Sequence, residues 1–182
     1  MGKDFQSYVE GWRQAFPAPR ELAWRGSWLV NGYCCDCRYC CGPQDNDTPF
    51  PMALLPSQIR PDLAEDFYLL DAQTAYMDGR GCKALGSRGC SLPKEHRPLA
   101  CGLFPLVLAN GGLWLYKICP ASVLVPLADW LPLAGKARDW LASLPEEHLR
   151  HISISLDAAT LTDRYINLHM TLFTEHDAKE GA

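Results

Sequence analysis

Residues 34–41 read CCDCRYCC, a stretch in which five of eight positions are cysteine. Two residues separate Cys34 from Cys37 and Cys37 from Cys40, and Cys41 follows directly. C-x-x-C spacing places thiolates on a turn whose backbone amides can hydrogen-bond the sulfurs, and it is typical of zinc and iron–sulfur sites. The stretch therefore predicts a fold that a metal stabilises.

The adjacent pair Cys40 and Cys41 bears on the number of metal sites. In extended backbone, neighbouring side chains point to opposite sides, so two adjacent cysteines rarely bind one mononuclear metal. The pair therefore indicates either two neighbouring sites or one polynuclear site with bridging sulfur.

Cys34, Cys37 and Cys40 also match the first three positions of the bacterial ferredoxin run, whose next ligand would fall at Gln44. Because Gln44 is not a cysteine, a remote cysteine must replace it. Cys119 is attractive for this role, since Pro120 follows it and the ferredoxin run also ends in Cys-Pro. This spacing favours an iron–sulfur cluster as the cofactor, and zinc remains the alternative.

The order of the cysteines resembles that of the YkgJ-type cysteine-cluster family. The resemblance covers about residues 34–121 and implies a module that chelates zinc or iron, with a framework shared with the flagellin lysine methylases. No methylase activity is carried over, because residues 1–33 and 122–182 lie outside the match and Gly102 stands where the family often has arginine. The matching elements are Cys34-x-x-Cys37-x-x-Cys40-Cys41, Cys82 followed by Leu85, Cys90-Ser91, Arg97-Pro98-x-x-Cys101-x-x-Phe104-Pro105 and Cys119-Pro120.

Eight of the nine cysteines form the predicted ligand set, and Cys35 is the spare. An alternative register uses Cys35 in place of Cys34. The eight thiolates divide into two sets of four or form one larger cluster. The predicted metal ligands are Cys34, Cys37, Cys40, Cys41, Cys82, Cys90, Cys101 and Cys119.

Length and composition predict one domain spanning residues 1–182, since 48% apolar content can supply a single core. We expect an α+β fold: a small, turn-rich, metal-stabilised domain with a β-hairpin and peripheral helices. The cysteine-cluster module at about 34–121 would have an N-terminal helical segment before it and a C-terminal α/β extension after it.

Periodicity predicts several individual elements. A short amphipathic helix is expected over residues 5–16, and a hairpin over 105–118 turns at Asn110-Gly111-Gly112, which would bring Cys101 and Cys119 close together at its open end. A helix is expected around residues 130–144, and Ser143 fits a capping box that begins another. Residues 151–156 alternate like a strand, whereas 165–173 fit either a strand or a helix.

Charge argues against a nucleic-acid partner, because the chain has a net charge of −4. Residues 79–119 carry +5, whereas residues 1–78 carry −5 and residues 120–182 carry −4. A zinc ion held by four thiolates is anionic, so nearby cations would stabilise it. An ordinary basic surface explains the same charges equally well.

The sequence predicts a cytoplasmic protein with no membrane partner. No uncharged run approaches the ~18 residues that a membrane helix needs, and the first residues lack an apolar secretory segment. Thiols stay reduced in the cytoplasm, which favours metal binding over disulfides.

Three functions follow from these observations. The first is metal binding by the eight cysteines. The second is an enzyme that uses the centre for redox or group transfer, although no acid–base pair is predicted. The third is a zinc-stabilised interaction module whose partner surface lies in residues 120–182.

Overall fold

The computed structural model describes residues 2–37, 39–42, 50–87 and 89–174, with the backbone alone at residues 2–4, 35 and 50. The chain is a mixed α+β protein, as predicted, in which antiparallel strands pair locally and helices pack around them. The elements are α1 (Gly2–Ala15), β1 (Leu22–Arg25), β2 (Trp28–Asn31), α2 (Cys34–Cys37), β3 (Phe50–Ala53), α3 (Leu63–Asp66), β4 (Tyr68–Asp71), β5 (Thr74–Met77), β6 (Leu85–Gly86), β7 (Gly89–Cys90), α4 (Leu99–Leu103), β8 (Leu106–Ala109), β9 (Gly112–Tyr116), α5 (Pro120–Leu124), α6 (Leu127–Leu141), α7 (Glu146–Ile152), α8 (Ala158–Arg164) and β10 (Tyr165–Thr171).

The predicted hairpin is confirmed as β8 and β9, which pair from Leu106↔Leu115 to Ala109↔Gly112. Its turn has positive φ at Asn110 (49°) and Gly111 (72°), which these residue types tolerate. β10 adds to the other side of β9, giving a three-stranded antiparallel sheet in the order β10-β9-β8.

The main core lies between this sheet and α6. Alternate residues of β9, Leu113 and Leu115, are buried, as expected of a strand with one buried face. The buried residues of α6 recur every three or four positions, which is the spacing of one side of a helix. They are Trp130, Ala134, Ala137 and Leu141.

A second, smaller core lies on the sheet formed by β3, β5 and β4. We call it the small core; apolar side chains from the flanking segments complete it. Its buried residues are Met52, Leu54, Leu63, Phe67, Ala75, Met77, Ala84 and Leu92.

The N-terminal helix is confirmed as α1, which ends ahead of Pro17. Residues 165–173, left open between helix and strand, contain β10. The strand predicted at 151–156 is wrong, because α7 extends to Ile152 and Ile154 makes only an isolated bridge to Ala109. Local alternation did not reveal that these residues continue a helix.

The capping box predicted at Ser143 is also wrong. The Ser143 hydroxyl donates to the carbonyl of Trp140 at 2.6 Å, the end of the preceding helix. Pro145 is the residue before α7 and provides no side-chain cap. Over the residues that the structure describes, none of the helices combines the length and apolar character required to cross a membrane.

Candidate metal centre

A cavity of about 20 Å³ is lined by five of the predicted ligands, Cys34, Cys37, Cys40, Cys41 and Cys119. The rest of its wall is aromatic or apolar and consists of Tyr33, Tyr39, Phe104, Tyr116 and Pro120. A volume of this size holds a water-sized species. The cavity thus places the remote Cys119-Pro120 beside the C-x-x-C segment.

The single turn α2 positions Cys34 and Cys37, which stand three residues apart and so lie on one side of the helix. The backbone amide of Tyr39 donates to the sulfur of Cys37 at 3.4 Å, the kind of contact expected of this spacing. Burial raises the pKa of the Cys37 thiol to about 11.

Cys119 enters the cavity from the opposite part of the chain, at the residue before α5. It is 5% exposed and belongs to the main core. Burial raises the pKa of Cys119, and the nearby amides of Ser122 and Ala121 and side chains of Ser122 and Asn31 oppose that rise. The surroundings of this sulfur therefore include several donors that favour a thiolate.

Cys40 and Cys41 have sulfurs 4.0 Å apart. The expectation that they point to opposite sides of extended backbone does not hold, because residues 39–41 form a turn. The contact with Cys41, together with burial, raises the pKa of Cys40. The same contact lowers the pKa of Cys41, and the charge of Arg97 lowers it further.

Three other predicted ligands lie at the small core. Cys82 and Cys90 pack against its buried residues, and the sulfur of Cys101 lies 3.7 Å from that of Met52. Cys101 as a whole residue is exposed to solvent, but its sulfur contacts Met52, which is only 1% exposed. The thiol of Cys101 therefore points toward the protein interior. Burial raises the pKa of both Cys82 and Cys101.

Cys41 connects to this second group as well as to the cavity. The amide of Cys82 donates to the carbonyl of Cys41 at 2.8 Å. The Cys41 thiol also acts electrostatically on Cys82 and Cys101. We therefore distinguish the cavity cysteines (Cys34, Cys37, Cys40 and Cys119) from the small-core cysteines (Cys82, Cys90 and Cys101), and Cys41, which lines the cavity, links the two groups.

This grouping differs from one expectation. Cys101 and Cys119 were predicted to meet at the open end of the β8–β9 hairpin. Cys101 instead lies within α4, with its sulfur 3.7 Å from that of Met52 in the small core, whereas Cys119 lines the cavity. Because α4 turns the chain ahead of β8, the two cysteines belong to different groups.

Arg97 supplies a positive charge beside the small-core cysteines. Its Nε and Nη2 donate to the carbonyl of Leu92 at 3.0 and 2.8 Å, which fixes the guanidinium against the small core. The side chain of Gln58 in turn donates to the carbonyl of Arg97 at 2.5 Å. The positive charge of Arg97 favours the thiolate of Cys41.

Among the described residues, no group of three Cys, His, Asp or Glu side chains has the arrangement needed to hold an ion as it stands. In a tetrahedral thiolate site with metal–sulfur bonds of about 2.3 Å, the sulfurs lie about 3.8 Å from one another. The 4.0 Å separation of Cys40 and Cys41 is close to this value, whereas other sulfurs would have to converge. The side chain of Cys35, the predicted spare, lies outside the described residues.

Sequence reasoning missed the polar and aromatic residues around the cavity. Asn31 at the end of β2 and Ser122 in α5 lie near Cys119, and neither carried a motif that could have singled it out. Tyr33 directly precedes the cysteine stretch and Tyr39 lies within it, so their position in the sequence was a usable signal.

The chain was compared with protein families, curated proteins and solved structures. No family model matches the chain, and no curated protein or solved structure matches it significantly.

Proposed function

We propose that this chain is a metal-binding protein whose eight cysteine thiolates form two neighbouring centres. The observation that carries the proposal is that the remote Cys119 lines one cavity together with four cysteines of the 34–41 stretch, Cys34, Cys37, Cys40 and Cys41. Thiolates are soft donors, which suit zinc and iron–sulfur centres. Inert thiols would not require this convergence.

The two cores support a division into two centres of four. The cavity cysteines adjoin the main core, through Cys37 and Cys119, whereas Cys82 and Cys90 adjoin the small core. Cys41, which lines the cavity and whose carbonyl accepts from the amide of Cys82, would complete the second group of four. The cavity centre would thereby connect residues 39–42 to the main core, and the second centre would connect them to the small core.

Cavity size supports a single ion, such as zinc, in the cavity group. About 20 Å³ accommodates one atom-sized species, whereas four irons with four sulfides would require the sulfurs to move apart. Iron–sulfur remains the second candidate, because the Cys34-Cys37-Cys40 spacing is ferredoxin-like and Cys119-Pro120 adjoins it.

The role we assign to the metal is to organise the turn-rich module over residues 34–121. Its strands β6 and β7 have two residues each, and α2, α3, α4 and α5 have four or five, so local structure alone contributes little stability. Metal binding would supply folding free energy to such a segment. The resemblance of the cysteine pattern to the YkgJ-type family agrees with this role, and so would a cytoplasmic location, where thiols stay reduced.

The test is anaerobic purification followed by an absorption spectrum and by metal and sulfide analysis of the same sample. Colourless protein with about two zinc ions per chain supports mononuclear centres. Brown protein absorbing near ~400 nm, with iron and sulfide, supports clusters. Protein that binds neither metal, even after reconstitution, overturns the proposal. Cys35→Ser is the matched control, since the spare cysteine should leave the metal content unchanged.

A further inference from the structure

A thioether sulfur lies against one of the small-core cysteines. The thiol of Cys101 donates to Sδ of Met52, and the two sulfurs are 3.7 Å apart. This separation is close to the spacing of about 3.8 Å between two sulfurs that bind one tetrahedral metal ion. A metal ion that bridges Cys101 and Met52 would therefore require little movement of either sulfur.

The two sulfurs come from separate elements that pack together. Met52 lies in β3, opposite Ala75 of β5, and Cys101 lies in α4, which packs on β3. The side chain of Gln58 donates to the carbonyl of Arg97 at 2.5 Å, which ties the segment after β3 to the segment before α4. The fold thus holds the thiol and the thioether together, although they are distant in the sequence.

The pair is buried at one end and open at the other. Met52 is 1% exposed, whereas Cys101 as a whole residue is exposed to solvent. A metal site needs an entry path, and the exposed side of Cys101 provides one to the buried thioether. Cys82 and Cys90 pack against the same small core, so further thiols lie on it.

The type of donor indicates the class of metal. Thiolate and thioether together are soft ligands that favour Cu(I), whereas zinc takes thiolate, imidazole or carboxylate ligands. Net charge favours the same ion, because Cu(I) with one thiolate and one thioether is neutral. Zinc with four thiolates is an anion, and burial of net charge is costly.

We propose that Cys101 and Met52 form a Cu(I) site at the small core, in which Met52 supplies a thioether ligand and Cys82 or Cys90 supplies a further thiolate. The inference rests on the proposed metal-binding function and deepens it, since it names the metal class of the second centre and adds a ligand that is not a cysteine. Cu(I) replaces the thiol proton of Cys101, which passes to solvent.

The test uses the whole chain labelled with selenomethionine, so that selenium stands in the place of the Met52 sulfur. The reduced protein is loaded with excess Cu(I) without oxygen, unbound copper is removed, and X-ray absorption is recorded at the selenium edge. We expect a copper neighbour at bonding distance for about one in four selenium atoms, because the chain has four methionines. The same protein loaded with zinc should show no metal neighbour at selenium.

Two matched variants assign the signal. Met52→Leu changes the side-chain volume little and should abolish the copper neighbour. It should also weaken the binding of one Cu(I) ion by about tenfold or more in competition with a chromophoric chelator, since loss of even an outer-shell partner costs that much. Met77 is buried in the same core, two residues beyond Ala75 in β5, so Met77→Leu should retain both the copper neighbour and the affinity.

Two results for copper-loaded protein would show that Met52 merely packs against Cys101, and the inference would then be wrong. One is the absence of a copper neighbour at selenium in the wild type, and the other is a copper signal that survives in Met52→Leu. A zinc neighbour at selenium would overturn the choice of Cu(I). If the wild type binds no metal of any kind, it is the proposed function that fails.

Discussion

At the scale of single residues, Gly111 shows how strongly one position depends on its surroundings. It has φ of +72° in the β8–β9 turn, a conformation that residues with a Cβ rarely adopt. Its carbonyl accepts from the amides of Leu172 and Phe173, at 2.8 and 3.3 Å. The turn therefore also fastens the chain that follows β10.

Gly111→Ala should destabilise the protein more than Gly26→Ala does. A Cβ at Gly111 would clash with the carbonyl oxygen of Phe173, whereas at Gly26, which has φ of +64°, no atom lies within 4 Å. Both variants bear the backbone strain of about 1–2 kcal/mol, but the clash is added at Gly111 alone. Denaturant unfolding of the two variants measures the difference.

Equal losses in the two glycine variants would contradict this account. They would mean that the segment after β10 moves away from the turn at little cost, so that backbone strain is the whole effect.

The adjacent cysteines belong to the same scale. Their adjacency predicted either two neighbouring sites or one polynuclear site, but the extended geometry assumed for them was wrong, because the turn brings their sulfurs to 4.0 Å. The backbone dihedral angles of residues 39–42 depend on contacts with distant parts of the chain, such as the hydrogen bond from the amide of Cys82 to the carbonyl of Cys41. The sequence of the pair alone therefore did not reveal the turn.

At the scale of elements, α6 combines a strong burial pattern with weak local propensity. It contains Pro132 within its first two turns and Gly135 in its interior. Pro132 is the sixth residue of α6, so it removes the intrahelical hydrogen bond to the carbonyl of Ala128, and glycine carries an entropic cost. Packing of Trp130 and Leu141 into the main core offsets that cost.

Gly135→Ala should stabilise the protein by roughly 0.5–1 kcal/mol, because alanine restricts the unfolded chain and fits the helix. No atom lies within 4 Å of the position that its Cβ would take. Thermal unfolding monitored by circular dichroism checks the prediction. Gly32→Ala is the contrasting control, since its Cβ would lie 3.1 Å from backbone atoms of Glu21 and should destabilise.

A lower unfolding midpoint for Gly135→Ala would show that this glycine serves packing that the open space around it does not reveal.

Elements such as α6 were predictable, since their apolar residues recur at the helical period. The end of α7 was not, because residues 151–156 alternate by chance while they continue a helix into a loop.

At the scale of the whole molecule, the cysteines follow the two hydrophobic cores. Cys119 is buried in the main core, whereas Cys82 and Cys90 pack on the small core. A metal in each group would therefore stabilise a different part of the fold. The adjacent Cys40 and Cys41 would then couple the two parts.

Single substitutions should separate the two centres. We expect Cys119→Ser to lose about half of the bound metal and Cys90→Ser to lose the other half, since each removes a ligand from one group of four. Metal analysis of the purified variants, together with the double variant, measures the stoichiometry. The double variant should bind no metal.

Complete loss of metal in each single variant, with the fold retained as judged by circular dichroism, would contradict two separable centres. That result would indicate one polynuclear site shared by all eight thiolates.

Local patterns in the sequence determined the α+β class, the β8–β9 hairpin and its turn, the helix at α6 and the list of cysteines, because each depends on residue types within a few positions of one another. Tertiary structure alone decided which cysteines share a group and that Asn31 and Ser122 adjoin Cys119. Those relations depend on how two separate cores pack distant segments together. The hydrophobic effect that drives this packing is non-directional, so the spacing of residues in the sequence does not specify which distant segments come together.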